Sequence, residues 1–215
     1  MLKNLIWDLD GTLFDTYPAF TRAFMETLSD AALVVDENWV AGLAKISLGY
    51  CIQILTEKYH LDAGWFDTRF QEHYQGIPFR DQPPFPGVRD LCVSLVEMGG
   101  TNTIVTHRST DSAVGFLREY ELAPYFLEII SPQDGLARKP DPAMFLEILR
   151  RCRFNPDETL TIGDREIDLL AGATAGVRTC FFGSPDQGVQ ADYYVDRIGD
   201  VVGILQSTGL NISVI

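Results

Sequence analysis

The chain has 215 residues, of which 46% are hydrophobic, so it can bury the core of one domain or of one domain that carries a smaller insertion. Its formal net charge of -13 opposes binding to nucleic acid, because recognition of a polyanion normally needs a concentrated basic surface. No apolar run approaches the ~20 residues of a membrane span, and the segment from Met1 to Asp10 does not resemble a signal peptide.

The cysteines are scattered along the chain, without a CxxC pair and without clustering near histidine. This pattern predicts neither a zinc site nor a disulfide framework. We therefore expect a protein of the reducing cytoplasm, with neither a membrane nor a nucleic acid as its partner. Nothing in the sequence indicates the oligomeric state.

The first predicted element is a buried strand, in which the apolar residues Leu5-Ile6-Trp7 lead into the tight turn Asp8-Leu9-Asp10-Gly11-Thr12. From about Pro18 to Tyr74 the apolar residues recur at three- and four-residue spacing, which is typical of helices. We predict a small all-helical domain over residues 16–80, inserted into a larger domain formed by residues 1–15 and 81–215.

After a turn-rich segment at 82–87, short apolar runs alternate with helical patterns. The predicted helices span 88–98, 112–120, 142–152 and 168–175, and the predicted strands span 101–106, 126–130, 159–162, 178–182 and 193–195. Parallel strands need crossover connections of this kind. The expected fold class is therefore α/β, with a Rossmann-like parallel sheet, helices on both of its faces and the inserted helical domain.

Polar side chains stand where three of these strands end. Asp8 and Asp10 follow the first strand, Thr106 ends the strand at 101–106, and Asp164 follows the strand at 159–162. Each of them alone could be a helix cap or a turn former. Because ligands of parallel sheets bind beyond the carboxyl ends of the strands, the recurrence favours one shared crevice.

Four motifs in order resemble those of the haloacid dehalogenase superfamily of hydrolases. Asp8–Asp15 is similar to its first motif, DxDGTLxD, and Ile104–Thr106 to its second, an apolar strand that ends in Thr or Ser. Arg138–Pro142 is similar to the third, which contains a functional lysine, and Gly163–Asp168 to the fourth, GDxxxD. Pro86-Gly87-Val88 further resembles the phosphoglycolate phosphatase and beta-phosphoglucomutase branch, whose members carry a helical cap domain.

The resemblance implies catalysis by Asp8, Asp10 and Lys139. Asp8 is expected to be a nucleophile that is transiently phosphorylated, and Asp10 a general acid and base. Lys139 is expected to neutralise charge on Asp8 and on the phosphoryl group. The resemblance also implies Mg²⁺, bound by the Asp8 side chain, the Asp10 backbone carbonyl and Asp164, with Asp168 behind these ligands.

For substrate binding, the resemblance implies Gly11 and Thr106, of which Thr106 is expected to donate to a phosphoryl oxygen. His107 and Arg108 follow Thr106, and either could contact the substrate or lie in a solvated loop. Lys45 begins a segment of the helical insertion, Lys45–Gly49, that corresponds to a substrate-facing loop in relatives, although it could equally be a solvated charge at a helix end.

The implied activity is magnesium-dependent hydrolysis of a small phosphorylated metabolite. A phosphomutase is the alternative enzyme, because the same motifs serve both reactions and only the acceptor of the phosphoryl group differs. A binding protein without turnover is a third possibility, which the presence of the complete motif set disfavours. Asp10 argues against a dehalogenase, because a departing halide needs no proton.

Overall fold

The structure, a computed structural model, describes residues 1–212 of the chain. The chain separates into two units. The core unit consists of Met1–Phe14 together with the chain from Pro84 onward, and the helical unit consists of Asp15–Pro83. Each unit has its own buried apolar residues. Among residues 1–212, no helix is both long enough and apolar enough to cross a bilayer.

The core unit is built on a parallel sheet of six strands in the order β3-β2-β1-β4-β5-β6. The strands are β1 (Asn4–Trp7), β2 (Thr101–Val105), β3 (Phe126–Ile130), β4 (Thr159–Gly163), β5 (Arg178–Phe182) and β6 (Tyr193–Val195). All four residues of β1 and all five of β4 are buried, as expected for central strands covered on both faces. The predicted α/β fold with a parallel sheet is confirmed.

The core unit also contains helices. They are α5 (Val88–Glu97), α6 (Thr110–Glu119), α7 (Ala143–Cys152), α8 (Glu166–Thr174) and α9 (Val201–Ser207). Of these, α5 to α8 precede or connect strands, and α9 follows β6. Phe145 and Ile148 of α7 pack with Ile6 and Val105 of the sheet in one buried apolar cluster. This burial of one helix face against the strands is what stabilises the layered arrangement.

Two predicted helices of the core unit begin earlier than expected, and a third helix was not expected. We predicted a helix over 168–175, but α8 begins at Glu166, because the Asp168 carboxylate accepts a hydrogen bond from the Arg165 backbone N–H (3.2 Å) and caps the helix start. The prediction of 112–120 is wrong by two residues at its start, since α6 begins at Thr110, where Ser109 is its N-cap. Helix α9 was not predicted.

The helical unit contains α1 (Tyr17–Asp30), α2 (Glu37–Ile46), α3 (Leu48–Tyr59) and α4 (Ala63–Gln75). Its core includes a stacked aromatic pair, Phe24 and Phe70, whose ring centroids lie 4.1 Å apart. The starts of α2, α3 and α4 are each capped by a side-chain oxygen that accepts a hydrogen bond from the backbone N–H of the third residue of the helix. The capping residues are Asp36, Ser47 and Asp62. Local sequence thus sets where these helices begin.

Candidate active site

The carboxyl edge of the sheet brings the motif residues together. Trp7 of β1 is in register with Ile104 of β2 and with Ile162 of β4. The chain therefore leaves the three central strands at one level, and the segments that follow them carry Asp8, Thr106 and Asp164. Parallel register is what converts sequence-distant strand ends into a single constellation.

At the centre of this constellation lies a buried charge cluster of Asp8, Lys139 and Asp168. The Lys139 Nζ lies 2.5 Å from Oδ1 of Asp8 and 2.5 Å from Oδ1 of Asp168, and it also donates to the Val105 carbonyl oxygen (3.0 Å). The side chains of Lys139 and Asp168 are completely buried, and only 2% of the Asp8 side chain is exposed. Charges this deeply buried persist only because they are paired.

Burial and pairing shift the pKa values in this cluster. Burial and, second to it, the neighbouring Asp168 carboxylate raise the pKa of the Asp8 carboxyl, and Lys139 opposes both, so that the net pKa is about 6. Burial disfavours the charged form of Lys139, but the carboxylates of Asp168 and Asp8 outweigh it and raise the pKa of Lys139 above its ordinary value. The ammonium of Lys139 is therefore a permanent counter-charge for Asp8.

A third carboxylate completes an acidic group. One oxygen from each of Asp8, Asp164 and Asp168 can be chosen so that all three lie within 4.8 Å of one another. Asp164 accepts a hydrogen bond from the Thr12 hydroxyl (3.1 Å), which ties the turn after β1 to the turn after β4. Three carboxylates and one ammonium, that of Lys139, leave a formal charge of -2, which is partly offset by Arg165, whose Nε lies 4.0 Å from Asp168.

This acidic group fits a divalent cation. Oδ2 of Asp8 is buried and makes no hydrogen bond with any of the described residues, although Oδ1 of the same carboxylate is bound by Lys139. A buried acceptor without a partner is costly and calls for a ligand. Carboxylate oxygens are the ligands that Mg²⁺ prefers in proteins, and the excess negative charge suits a divalent ion.

Gly163 allows this close arrangement. A Cβ atom at this position would lie 2.5 Å from Cβ of Asp168 and 2.8 Å from its Oδ2. Because real side chains do not approach so closely, any other residue at 163 would displace Asp168 and with it the partner of Lys139. The glycine of the GDxxxD motif is therefore explained by packing against the last aspartate of the same motif.

The loop after β2 contacts the other motif segments through its side chains. Thr106 is buried, and its hydroxyl accepts from the Arg108 backbone N–H (3.0 Å). His107 Nε2 accepts from the backbone N–H of Lys139 (3.1 Å), and burial together with the nearby charge of Lys139 lowers the pKa of His107 to about 3. A neutral imidazole thus fixes the backbone that carries Lys139.

Arg108 forms an ion pair with Asp10. Its Nε lies 3.2 Å from both carboxylate oxygens of Asp10, and its Nη2 contacts Oδ1. Gly11, which follows Asp10, has a φ of 80°, a left-handed conformation that glycine adopts without strain, and its N–H donates to the Phe14 carbonyl oxygen (2.9 Å). The tight turn and the ion pair together hold the Asp10 segment.

Lys45, which we predicted as a substrate-binding residue, belongs to the other unit. It is exposed in the last turn of α2, within the helical unit. Its positive charge reaches Asp15 of the same unit, where burial raises the pKa of the carboxyl and Lys45 lowers it in part. The remaining predicted residues, Asp8, Asp10, Gly11, Thr106, His107, Arg108, Lys139, Asp164 and Asp168, lie in the core unit.

Several contacts around the site were not predicted from the sequence. We placed Asp168 behind the metal ligands, but the structure also gives it a direct contact with Lys139. Thr12, which binds Asp164, and Ser112, which binds Arg108, were not singled out at all. Ser112 lies in the first turn of α6, whereas Arg108 precedes the N-cap Ser109, so helical spacing gave no signal for this contact.

Comparison with known proteins agrees with these observations. A phosphoglycolate phosphatase from Pectobacterium atrosepticum is 25% identical over 221 residues, covering 95% of this chain and 92% of that protein. The crystal structure of a predicted phosphoglycolate phosphatase from Haemophilus somnus superposes with a TM-score of 0.83 at 22% identity, covering 95% of this chain and 98% of the other. A HAD-hydrolase from Bacillus subtilis, solved with bound magnesium, superposes with a TM-score of 0.75 at 20% identity, covering 95% and 99%.

The family model for haloacid dehalogenase-like hydrolases matches residues 5–182. This range contains the strand ends, the buried Lys139 and the acidic group described above. With well over half of the sequence matched, the chain belongs to the haloacid dehalogenase-like hydrolase family.

Proposed function

We propose that this protein is a magnesium-dependent phosphatase that hydrolyses a small phosphorylated metabolite through an aspartyl-phosphate on Asp8. The observation that carries the proposal is the contact of Lys139 with Asp8 at 2.5 Å in a site where Oδ2 of Asp8 has no partner among the described residues. One oxygen of the carboxylate is oriented by a fixed positive charge, and the other is available. The phosphoglycolate phosphatase from P. atrosepticum supports this reaction class.

In the first step, an oxygen of Asp8 attacks the phosphorus of the substrate. A phosphorus–oxygen bond to Asp8 forms, the ester bond breaks, and its electron pair stays on the departing alcohol oxygen. Asp10, in its acid form at the start of this step, gives this oxygen a proton, which a poor leaving group needs. Thr106 donates a hydrogen bond from its hydroxyl to a phosphoryl oxygen, and Lys139 stabilises the negative charge that gathers beside Asp8.

In the second step, water attacks the phosphorus and the bond to Asp8 breaks. Asp10, now ionised, takes the proton from the attacking water and returns to its acid form. Inorganic phosphate leaves and the Asp8 carboxylate is restored. Two steps replace one very slow displacement, since the uncatalysed hydrolysis of phosphate monoesters is among the slowest reactions known.

The acidic group fits Mg²⁺, and the Asp8 side chain, the backbone carbonyl of Asp10 and Asp164 would hold it. When bound, the ion supplies positive charge that lets an anionic phosphate approach a carboxylate. Asp168 holds Lys139 and caps α8, and so keeps the turn that carries Asp164 in place. The magnesium-bound family member from B. subtilis supports this choice of ion.

We also propose that the helical unit, Asp15–Pro83, serves as the cap that selects the substrate, and that the protein acts in the cytoplasm. All four cysteines are free thiols, and those at 51, 92 and 180 are buried. Such thiols suit a reducing compartment. Nucleic acid and membranes are not expected as partners, in view of the net charge of -13.

The proposal is tested by assaying free phosphate from a panel of phosphorylated metabolites, phosphoglycolate among them, with Mg²⁺ and without any bisphosphate. Wild-type protein should release phosphate, and Asp8→Asn should be inactive while its circular dichroism spectrum stays unchanged. Beryllium fluoride, which mimics the phosphoryl group on an aspartate, should bind the wild type and not the variant. Substantial activity of Asp8→Asn would exclude the covalent step, and turnover only with a bisphosphate primer would indicate a phosphomutase.

A further inference from the structure

The Arg108 side chain is buried in the core unit and has a specific partner at each of its nitrogen atoms. Only 8% of the side chain is exposed. Nε and Nη2 face the Asp10 carboxylate, and Nη1 donates to the Ser112 hydroxyl (3.0 Å). The guanidinium carbon lies 4.8 Å from the ring centroid of Phe116, so the cation also stacks on an aromatic face.

These contacts immobilise the guanidinium. Ser112 and Phe116 both belong to α6, which follows the loop that carries Arg108. The backbone of Arg108 is fixed as well, because its N–H donates to the Thr106 hydroxyl (3.0 Å). A planar fork held at its backbone, its face and one edge has little freedom to rotate.

Asp10 is the group that gains from this rigidity. Its carboxylate is 21% exposed and stands on a turn, where a short side chain would otherwise move between rotamers. An acid–base group works only when it lies within hydrogen-bond distance of the atom that receives its proton. The fork of Arg108 contacts both oxygens of Asp10, so it fixes the plane of the carboxylate as well as its position.

Arginine is suited to hold an acid–base residue without replacing it. A guanidinium has five N–H donors, no acceptor, and a pKa too high for it to lose its proton in a protein. It therefore cannot take part in the proton transfers of Asp10. The fork that could grip a substrate phosphate is already occupied by Asp10, which disfavours substrate binding as the main role of this side chain.

We propose that Arg108 is the positioning residue for the carboxylate of Asp10 in proton transfer, and that Ser112 and Phe116 hold Arg108 in turn. The proposal rests on the phosphatase activity proposed above. It assigns Arg108 a role in the step that protonates the leaving group, and not in the binding of phosphate.

The test compares kcat/KM for two esters that carry the same phosphate: an alkyl phosphate, whose leaving group needs a proton, and a nitrophenyl phosphate, whose leaving group does not. Arg108→Met should lower kcat/KM for the alkyl phosphate by about 10²-fold, the order expected for a displaced acid, and for the nitrophenyl phosphate by much less. Arg108→Lys, which keeps the positive charge but loses the two-pronged guanidinium, should not restore kcat/KM for the alkyl phosphate. Arg89→Met, which removes an exposed arginine of the core unit, is the matched control and should change neither value.

A double-mutant comparison separates positioning from substrate binding. Arg108→Met combined with Asp10→Asn should be no slower on the alkyl ester than Asp10→Asn alone, since both changes act through one carboxylate. If the two losses multiply, or if Arg108→Met raises KM equally for both esters, then Arg108 binds substrate and the proposal is wrong.

A milder variant guards against a folding defect in Arg108→Met. Ser112→Ala removes only the Nη1 contact, and it should lower kcat/KM for the alkyl ester several-fold, with the urea midpoint unchanged and with no further loss in the Asp10→Asn background. Equal values for Ser112→Ala and wild type would contradict the proposed support of Arg108. Absence of turnover of either ester by the wild type would overturn the phosphatase proposal and this one together, whereas normal turnover with equal Arg108→Met losses overturns this one alone.

Discussion

The ammonium of Lys139 lies 2.5 Å from the carboxylate of Asp8, although 131 residues separate them in the sequence. The pair lies in the interior of the protein, where an unpaired charge costs several kcal/mol. It therefore links catalysis to folding, because the group that would stabilise a phosphorylated Asp8 is also the group that makes a buried Asp8 tolerable. The same link makes the pair open to test.

We expect Lys139→Met to destabilise the metal-free protein by about 3–5 kcal/mol, the usual result of leaving buried charge without its partner. Turnover should fall by about 10²-fold or more, as when a charge-stabilising donor is removed. Urea unfolding in EDTA measures the first effect. Lys3→Met, which removes an exposed ion pair with Glu158, is the control and should cost less than ~1 kcal/mol. Equal midpoints for the two variants would show that the buried pair contributes no more than a surface pair.

Magnesium should stabilise the folded protein as well as activate it, because it binds a site that the unfolded chain lacks. A concentration of Mg²⁺ one hundred times its Kd should add about 2.7 kcal/mol of stability. EDTA should stop turnover, and Ca²⁺ should substitute poorly because its larger and more flexible shell suits the site less well. Thermal unfolding with and without Mg²⁺ gives the measurement.

The matched pair for this prediction is Asp164→Ala and Asp186→Ala. Asp164 belongs to the acidic group, whereas Asp186 is exposed in a short 3-10 helix, Pro185–Gln187. Only Asp164→Ala should abolish the shift in unfolding temperature with Mg²⁺. A full shift in Asp164→Ala, or full activity in EDTA, would mean that the metal assignment is wrong.

The strand ends and the motif residues could be predicted from the sequence, because both are local patterns. Apolar runs followed by Asp or Thr specify where a strand stops, and parallel register then brings Asp8 and Thr106 to one edge. The contact between Arg108 and Asp10 could not be predicted, since it joins residues 98 positions apart through side-chain directions that only the fold determines. The sequence indicated both residues and left the role of Arg108 open.

The missed elements have local causes of another kind. Helix α9 has only seven residues, and Gly203 and Ser207 among them have low helix propensity, so the sequence gives a weak helical signal. The start of α8 was placed two residues late because Asp168 was interpreted only as a motif residue and not as the carboxylate that caps the helix. Asp168 is both the last residue of the motif and the cap of α8, and the motif alone predicted only the first of these roles.

Gly163→Ala should impair both stability and turnover. The added Cβ would lie 2.5 Å from Cβ of Asp168, in a fully buried place where neither backbone nor side chain can yield freely. Overpacking of this kind costs about 1–3 kcal/mol. Gly203→Ala, in α9, has no atom within 4 Å of its added Cβ and should be neutral or stabilise by about 0.5–1 kcal/mol. Urea midpoints of both variants decide, and a neutral Gly163→Ala would show that Asp168 can shift without loss.

His107 should make stability depend on pH. Burial and the charges of Lys139 and Arg138 lower its pKa to about 3, whereas a histidine in the unfolded chain titrates near 6.5. Between these values the unfolded state binds the extra proton, so the stabilising contribution is complete above pH 6.5 and is lost as the pH falls toward 3. The neutral imidazole of His107 therefore lowers the stability of the folded protein only at acidic pH.

The variant that tests this is His107→Gln, whose amide oxygen can accept from the Lys139 backbone in place of Nε2. The drop in urea midpoint from pH 7 to pH 5, measured in EDTA, should be smaller in His107→Gln than in wild type. His60→Asn, at an exposed position in the helical unit, controls for the loss of an imidazole. An unchanged drop in His107→Gln would show that other groups determine the acid sensitivity.

Lys45 should affect which substrate is accepted and leave the chemistry unchanged, since it is exposed in the helical unit while the residues proposed for phosphoryl transfer all lie in the core unit. Lys45→Ala should lower kcat/KM about tenfold for a substrate with a second anionic group, such as phosphoglycolate. A tenfold loss corresponds to the free energy of about one hydrogen bond to a charged group. Hydrolysis of a nitrophenyl phosphate, which has no such group, should barely change.

Lys58→Ala removes another lysine of the helical unit, one that lies over the Trp39 ring, and should leave both rates unaltered. Steady-state kinetics on both substrates provides the answer. Equal losses for Lys45→Ala on the two esters would indicate that Lys45 supports the fold of its unit, through its charge on Asp15, and no loss on either would make it a solvated helix-end charge.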